Sequence, residues 1–582
     1  MKTITPLQVE PSVRPSRLEV LIQRLDRFGI PPLLISIVLT IGMSATIGNL
    51  AVKLSRQYYA VAPYHYDSAT YRMQAVRFHE SLEAHGIASA LVQSLQTKDS
   101  LDISLRLVLT PQFLLHPYGH MVVLLPFMSV FIFLVIWYVF TRTNSLLLSL
   151  AAVAFLFTFP LMYSPSAAPI VGGIADYEKD NLATWLIGSA VMAWLLSSTL
   201  TRRHWSFFCG LFLGLLVMQR AVAAVYAATI FLPLVLWATY QRVRSDGIKL
   251  ALIRIGSFAI PAALLGSLLI IVQWRQLYNY YFVVGYSYGT PVLVARYLLY
   301  GLRNVSVAPF VLVVCGAYLF CLISISLWKQ QRGDIIVAGW FVFALPLIIS
   351  ITSAFYFGFY PIWIVLLIVL LATLIPRTLG ANISVFALAL LLVASTSSAI
   401  QYHISFNRAR ALAESLATTR LFYQDLAHVI TAQPEPSNYG LLFDEVDFPF
   451  LNQVFSDKGV LLNPTAVFMS IHDSYYRAAF GDLSAQQIAD INIRSLEQRT
   501  GALAVAYCEP RDILKQPNFL ENNRDLLAAH VAIAMNDYLL HSPAWKAIRK
   551  LSSPYGCLYV YQHSAQVLSE TEKWQSLAFS GR

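Results

Sequence analysis

The feature that most limits what this chain can fold into is a series of long apolar runs. They fall near residues 31–53, 117–140, 144–163, 182–200, 205–219, 221–240, 251–273, 306–328, 335–352, 360–376 and 382–401. About 20 residues rising 1.5 Å each cross roughly 30 Å of hydrocarbon. Inside a bilayer every backbone N–H and C=O must be satisfied within the protein, so runs of this length are expected as helices. Apolar residues make up 57% of the chain and charged residues 12%. A soluble domain runs nearer 45–50% and about 25%, so a water-soluble enzyme is excluded. The 27 glycines and 27 prolines in 582 residues exclude a collagen-like or low-complexity chain.

The net charge of +10 is unevenly spread. Residues 401–582 hold 15 Lys/Arg against 18 Asp/Glu, while residues 1–400 hold 26 against 13. The front is therefore read as the membrane part and the tail as a soluble domain. The basic excess follows the short loops. Lys2, Arg14, Arg17, Arg24 and Arg27 precede the first run. Arg142, then Arg202 and Arg203, then Arg242, Arg244 and Lys249, then Lys329 and Arg332, then Arg377 fall in alternate loops. Cytoplasmic loops are enriched in Lys and Arg. This predicts a cytoplasmic N-terminus, about eleven spans, a periplasmic or extracellular tail and a retained signal-anchor as the first span. The divisions expected are a cytoplasmic arm at 1–30, a membrane domain at 31–404 and an extracytoplasmic domain at 405–582. The spans 205–219 and 221–240 are joined only at Gln219-Arg220.

Three outside segments are expected, at 54–116, 164–181 and 275–305. The first holds an amphipathic stretch from Ala69 to Gln96, and the third is rich in tyrosine, as membrane–water interfaces are. The tail reads as α/β: β-prone runs at Tyr439–Phe443, Val460–Leu462, Ala502–Tyr507 and Cys557–Tyr561, with helical patterns at Ala485–Arg499 and Arg524–Leu540 between them. That alternation predicts a small, partly parallel sheet with covering helices. Of five cysteines, Cys508 and Cys557 lie at strand ends in the tail, where a disulfide is one option in an oxidising compartment. No CxxC pair, P-loop, GxSxG or HExxH motif occurs.

The residues that could carry chemistry lie at the expected outer ends of spans. Pro63-Tyr64-His65-Tyr66-Asp67-Ser68-Ala69-Thr70-Tyr71 follows the first span. Asp67 suits either an N-cap of the following helix or a functional carboxylate at the membrane face. His116-Pro117-Tyr118 opens the second span, and Asp176-Tyr177-Glu178-Lys179-Asp180 precedes the fourth. The fifth contains Gly210-x-x-x-Gly214 and ends in Gln219-Arg220. Arg220 either snorkels to headgroups or holds a substrate phosphate through charge-assisted hydrogen bonds.

In this order the motifs resemble those of the GT-C superfamily of membrane glycosyltransferases, in the branch of protein O-mannosyltransferases and the aminoarabinose transferase of lipid A. That pattern has an acidic residue in the first outside loop, a His-Pro start to the second span, an acidic motif before the fourth and a Gly-rich fifth span ending in a basic residue. Ser68 stands where a second acid is common, and Phe355–Pro361 lacks the basic residue many relatives carry there. The resemblance implies a polytopic fold and transfer of a sugar from a polyprenyl-phosphate donor to a lipid, glycan or protein acceptor outside the cytoplasmic membrane, usually with inversion. It implies Asp67 as general base, Tyr71, His116, Asp176 and Asp180 as substrate-binding positions, and Arg220, Arg275, Arg296 and Arg303 as cations for the donor phosphate. No cofactor is expected; the alternative is a divalent metal on Asp67, Asp176 and Asp180.

Two other classes compete. A transporter would show internal repeats and broken mid-membrane spans, and no repeat relates the halves. A lipid-linked polysaccharide polymerase or ligase would carry its long outside loop late, whereas here the long loop comes first. No Lys/Arg patch in the tail suggests nucleic acid.

Overall fold

The structure, a computed structural model, describes residues 32–59, 66–96, 124–158, 179–278 apart from 221–222, scattered positions between 316 and 429, and then 441–444, 467–469, 480–498, 503–515, 527–553 and 556–563. The expected spans from 306 to 401 therefore lie largely outside the described residues, as does the strand expected at 460–462.

Among the described residues up to 278 the long helices are α1 Pro32–Tyr59, α2 Tyr66–Gln96, α3 Leu125–Thr143, α4 Leu146–Thr158, α5 Lys179–Ser197, α6 Arg203–Gln219, α7 Leu232–Asp246 and α8 Ile248–Tyr278. A short helix, Ala223–Tyr226, and a π-turn, Ala227–Phe231, lead into α7. The wider turn comes just before Pro233, which has no N–H to continue the ladder. Among the described residues, Leu33–Lys53, Leu125–Thr143 and Ile248–Ile271 are long and apolar enough to cross a membrane, and Leu146–Phe157 and Leu182–Ser197 are shorter apolar helices.

The protein is membrane-embedded, and its helices differ in the way a bilayer demands. α5 is buried on every side from Leu182 to Leu196. A helix apolar all round belongs inside a bundle. Trp185 meets Phe131 of α3, and Trp194 meets Phe231 and Phe258 edge-on at 6.2 and 6.0 Å. α1 and α8 instead leave apolar faces uncovered, among them Val38, Ile41, Leu252, Leu264 and Ile271. In water such faces would drive aggregation; in lipid they are the solvated side. The inward face of α1 carries Ser36, Thr40 and Ser44, one per turn and all buried. Ser129 of α3 donates to Ser44 at 2.7 Å. Small polar side chains let membrane helices approach closely and bond across the interface.

Helices α6 and α8 approach closely. A side chain at Gly210 would overlap the Phe258 carbonyl oxygen, and one at Gly214 would come 2.8 Å from the Pro261 carbonyl. Farther along, Met218 packs on Leu269. The two helices thus run parallel, and α8 continues about two turns beyond the end of α6.

The tail holds a five-stranded sheet: β1 Leu441–Asp444, β2 Val467–Met469, β3 Leu503–Tyr507, β4 Trp545–Ser553 and β5 Gly556–His563, in the order β2-β1-β3-β5-β4. β2-β1-β3 are parallel and β3-β5-β4 antiparallel. The partly parallel sheet is as the sequence predicts, but two strands were not. β2 stands at Val467–Met469, and β4 reads as polar because it is an edge strand carrying Lys546, Arg549 and Lys550. Charged edges resist pairing with other chains. Helices α9 Ala485–Glu497 and α10 Leu527–His541 match the expected patterns. Ser484 and Gln487 close a capping box on α9. Buried Asn536 of α10 accepts the Tyr507 N–H at 2.7 Å, pinning the helix to the end of the central strand.

Candidate active site

The helix directions define two ends of the bundle. At one end the basic loops converge. Arg142, closing α3, donates to the Leu195 carbonyl at the end of α5 (2.9 Å). Arg242, near the end of α7, donates to the Thr199 carbonyl between α5 and α6 (3.2 Å). Asp246 joins Arg242 to Arg254 of α8. The turn there takes three successive left-handed residues, Ser198, Thr199 and Leu200, at φ 49, 58 and 61°. None is glycine, so the turn is strained. The Ser197 hydroxyl, accepting the Leu200 N–H, and the Arg242 bond hold it.

Because the start of α6 and the end of α7 share this basic end, the chain reverses at the opposite end, and it does so at Arg220. Its backbone is extended (φ −148°, ψ 108°). Its N–H closes α6 on Leu216, and its carbonyl accepts the Ala223 N–H at 2.8 Å. The Gln219-Arg220 hinge is therefore a true reversal between two helices. Gln219 is fully buried, and Nε and Nη1 of Arg220 are shut off from solvent although the residue as a whole is part-exposed.

The register of α5 against α6 places the acidic motif. The Cys209 thiol meets the Ala190 carbonyl at 3.3 Å, and the helices are antiparallel. Ten residues back from Ala190 is Asp180, in the first turn of α5; ten on from Cys209 is Gln219. Each step covers about 15 Å along its axis. Asp180 and Arg220 therefore stand at one level, at the end opposite the basic loops. α2 packs there too, through Leu91 against Met218 and Leu269. Gly86, at φ 76°, breaks α2, so that Ser81 can donate to Gln93 at 2.5 Å across the bend.

Asp67 is the second residue of α2 and Tyr71 lies one turn later along the same stripe. The helix begins at Tyr66, which puts Asp67 in its first turn. Arg275, near the end of α8, is exposed, with its guanidinium 5.6 Å from the Trp274 ring, itself 56% exposed. That pairing suits an interfacial anchor. His116, Asp176, Arg296 and Arg303 lie outside the described residues. Buried Gln219 was named in the sequence only as a hinge; its one signal was a polar residue closing an apolar run.

No family model and no curated protein matches the chain. Among solved structures it is similar to ArnT from Cupriavidus metallidurans bound to undecaprenyl phosphate, at 12% identity and TM-score 0.48, over 91% of this chain and 98% of that one. It is similar to the same protein in the apo state (12%, 0.49, 90% and 97%). It is also similar to the oligosaccharyltransferase AglB from Archaeoglobus fulgidus in complex with an inhibitory peptide and a dolichol-phosphate (11%, 0.47, 89% and 74%). Both are GT-C superfamily proteins. At this identity no residue of the present chain takes a role from ArnT or AglB.

Proposed function

We propose that the chain is a glycosyltransferase that moves a sugar from a polyprenyl-phosphate donor to an acceptor at the outer face of the cytoplasmic membrane, with inversion. The observation that carries this reading is the shared level of Asp180 and Arg220 at the end of the bundle on which α2, the helix of Asp67, packs. It agrees with the motif order that resembles the GT-C pattern. Charge supports the orientation: the opposite end gathers the arginines, as a cytoplasmic side does.

In this reading Asp67 takes the proton from the acceptor hydroxyl or amine as that group attacks the anomeric carbon. Arg220 stabilises the phosphate as the sugar–phosphate bond breaks and charge grows on the leaving oxygen. Asp180, with Asp176, Tyr71 and His116, orients acceptor and sugar. Arg275, Arg296 and Arg303 add cations for the donor phosphate. No metal is invoked, and the acceptor is a lipid, glycan or protein.

The test is sugar transfer from a polyprenyl-phosphate donor by purified protein in detergent. Inside the first turn, the Asp67 charge is worth about 0.3–1 kcal/mol against the helix dipole. Asp67→Asn should therefore fold, and as a lost base should reduce turnover by roughly 10²–10⁴-fold. A well-folded variant with near-normal turnover removes Asp67 from this role.

A further inference from the structure

The basic end of the bundle divides its charges into two sets. Arg142, Arg242 and Arg254 are part-buried and used within the protein, on the Leu195 and Thr199 carbonyls and on Asp246. Arg202, Arg203, Arg244 and Lys249 are exposed, and among the described residues no carboxylate pairs with them. From residue 197 to 254 the chain has one acidic residue, Asp246, and it is already shared by two arginines. These four cations sit on three packed helices, at the start of α6, the end of α7 and the start of α8.

Each helix repeats one pattern, a cation at the end and an exposed apolar side chain about one turn further in. On α6, Arg203 precedes Phe207 (45% exposed). On α7, Arg244 lies over the Tyr240 ring at 5.0 Å, with Tyr240 57% exposed. On α8, Lys249 precedes Leu252 (62% exposed). Three to four residues along a helix is one face. A free anion would leave the apolar side chains wet, and Leu252 belongs to the uncovered apolar face that α8 turns to lipid. A phospholipid satisfies both: its phosphate meets the cations and its acyl chains cover the apolar side chains.

We infer that Arg202, Arg203, Arg244 and Lys249 form a binding surface for anionic phospholipid headgroups at the basic end of α6, α7 and α8. The surface is separate from the proposed active site, at the other end of the same helices. Among the described residues none of the four pairs with a carboxylate, and the one contact to lose is that of Arg244 with the exposed Tyr240 ring, so their replacement by glutamine should leave the fold intact.

The experiment is native mass spectrometry of the full chain released from detergent, with phosphatidylglycerol, cardiolipin or phosphatidylethanolamine added. Retained phosphatidylglycerol and cardiolipin, and little phosphatidylethanolamine, are expected for the wild type. A cation near an anionic lipid surface is worth roughly fivefold in affinity, so Arg202→Gln/Arg203→Gln/Arg244→Gln/Lys249→Gln should weaken retention by roughly 100-fold or more. Lys546→Gln/Lys550→Gln, in the tail, should leave it unchanged. Should the quadruple variant not fold, the wild type decides: 0.5 M salt before transfer should release the lipid, because a charge-held headgroup is screened. Equal retention of all three lipids, retention by a folded quadruple variant, or indifference to salt overturns the inference. Displacement by millimolar inorganic phosphate would assign the surface to free phosphate and overturn it too.

Discussion

Arg220 stands where one helix stops and the chain turns back, and its guanidinium is partly enclosed. Lysine would keep the charge but lose the planar fork that matches a phosphate. One charge-assisted hydrogen bond is worth about 1.5–3 kcal/mol, so Arg220→Lys should lower transfer roughly 10–100-fold while thermal unfolding in detergent stays near wild type. The glycines separate two kinds of role. A methyl at Gly210 meets the Phe258 backbone, which cannot move aside as a side chain could. Gly210→Ala should cost about 1–3 kcal/mol by forcing α6 and α8 apart. Gly42→Ala, with nothing within 4 Å of the new methyl, should raise stability by about 0.5–1 kcal/mol through helix propensity. If the two variants unfold at one temperature, this account of the α6–α8 contact is wrong. The Gly-x-x-x-Gly spacing was legible in the sequence; its partner was not, because Phe258 lies far along the chain.

At the scale of elements, the tail was read well where burial was strong. β3 is buried along its whole length, and its apolar run stands out. β4 was missed because half of an edge strand faces water and its residues follow the solvent. The cysteines were expected at strand ends, with a disulfide as one option, and the structure joins Cys508 to Cys557, with Cα atoms 5.4 Å apart and the Cys508 N–H on the Cys557 carbonyl. The link spans 49 positions, for which loop-closure entropy gives about 4 kcal/mol. Cys508→Ser/Cys557→Ser, or reduction of the wild type, should therefore lower the unfolding temperature of the tail while the membrane helices keep theirs. Circular dichroism at two wavelengths, followed against temperature in detergent, separates strand from helix. An unchanged tail transition would show that the sheet does not depend on the bridge.

For the whole molecule, orientation is the property that charge and redox chemistry test together. Structural disulfides persist in oxidising compartments, and cytoplasmic loops are enriched in arginine. The orientation proposed above therefore expects the tail outside. A reporter that works only in the periplasm, fused after Arg582, should be active, and one that works only in the cytoplasm should be silent; the reverse result would sink the orientation. The membrane class could be read from the sequence alone, because the apolar length of each run is local and adds up residue by residue, and the bilayer sets the length required. The same holds for the alternation of basic loops. What only the tertiary structure decided is register: the reversal at Arg220, the level of Asp180 against Gln219, the fit of Gly210 on Phe258 and the gathering of Arg142, Arg242 and Arg254 at one end. Sliding one apolar helix along another leaves the hydrocarbon burial of both almost unchanged. Interlocking side chains and a few polar contacts must choose the register, and that choice pairs residues distant in the sequence.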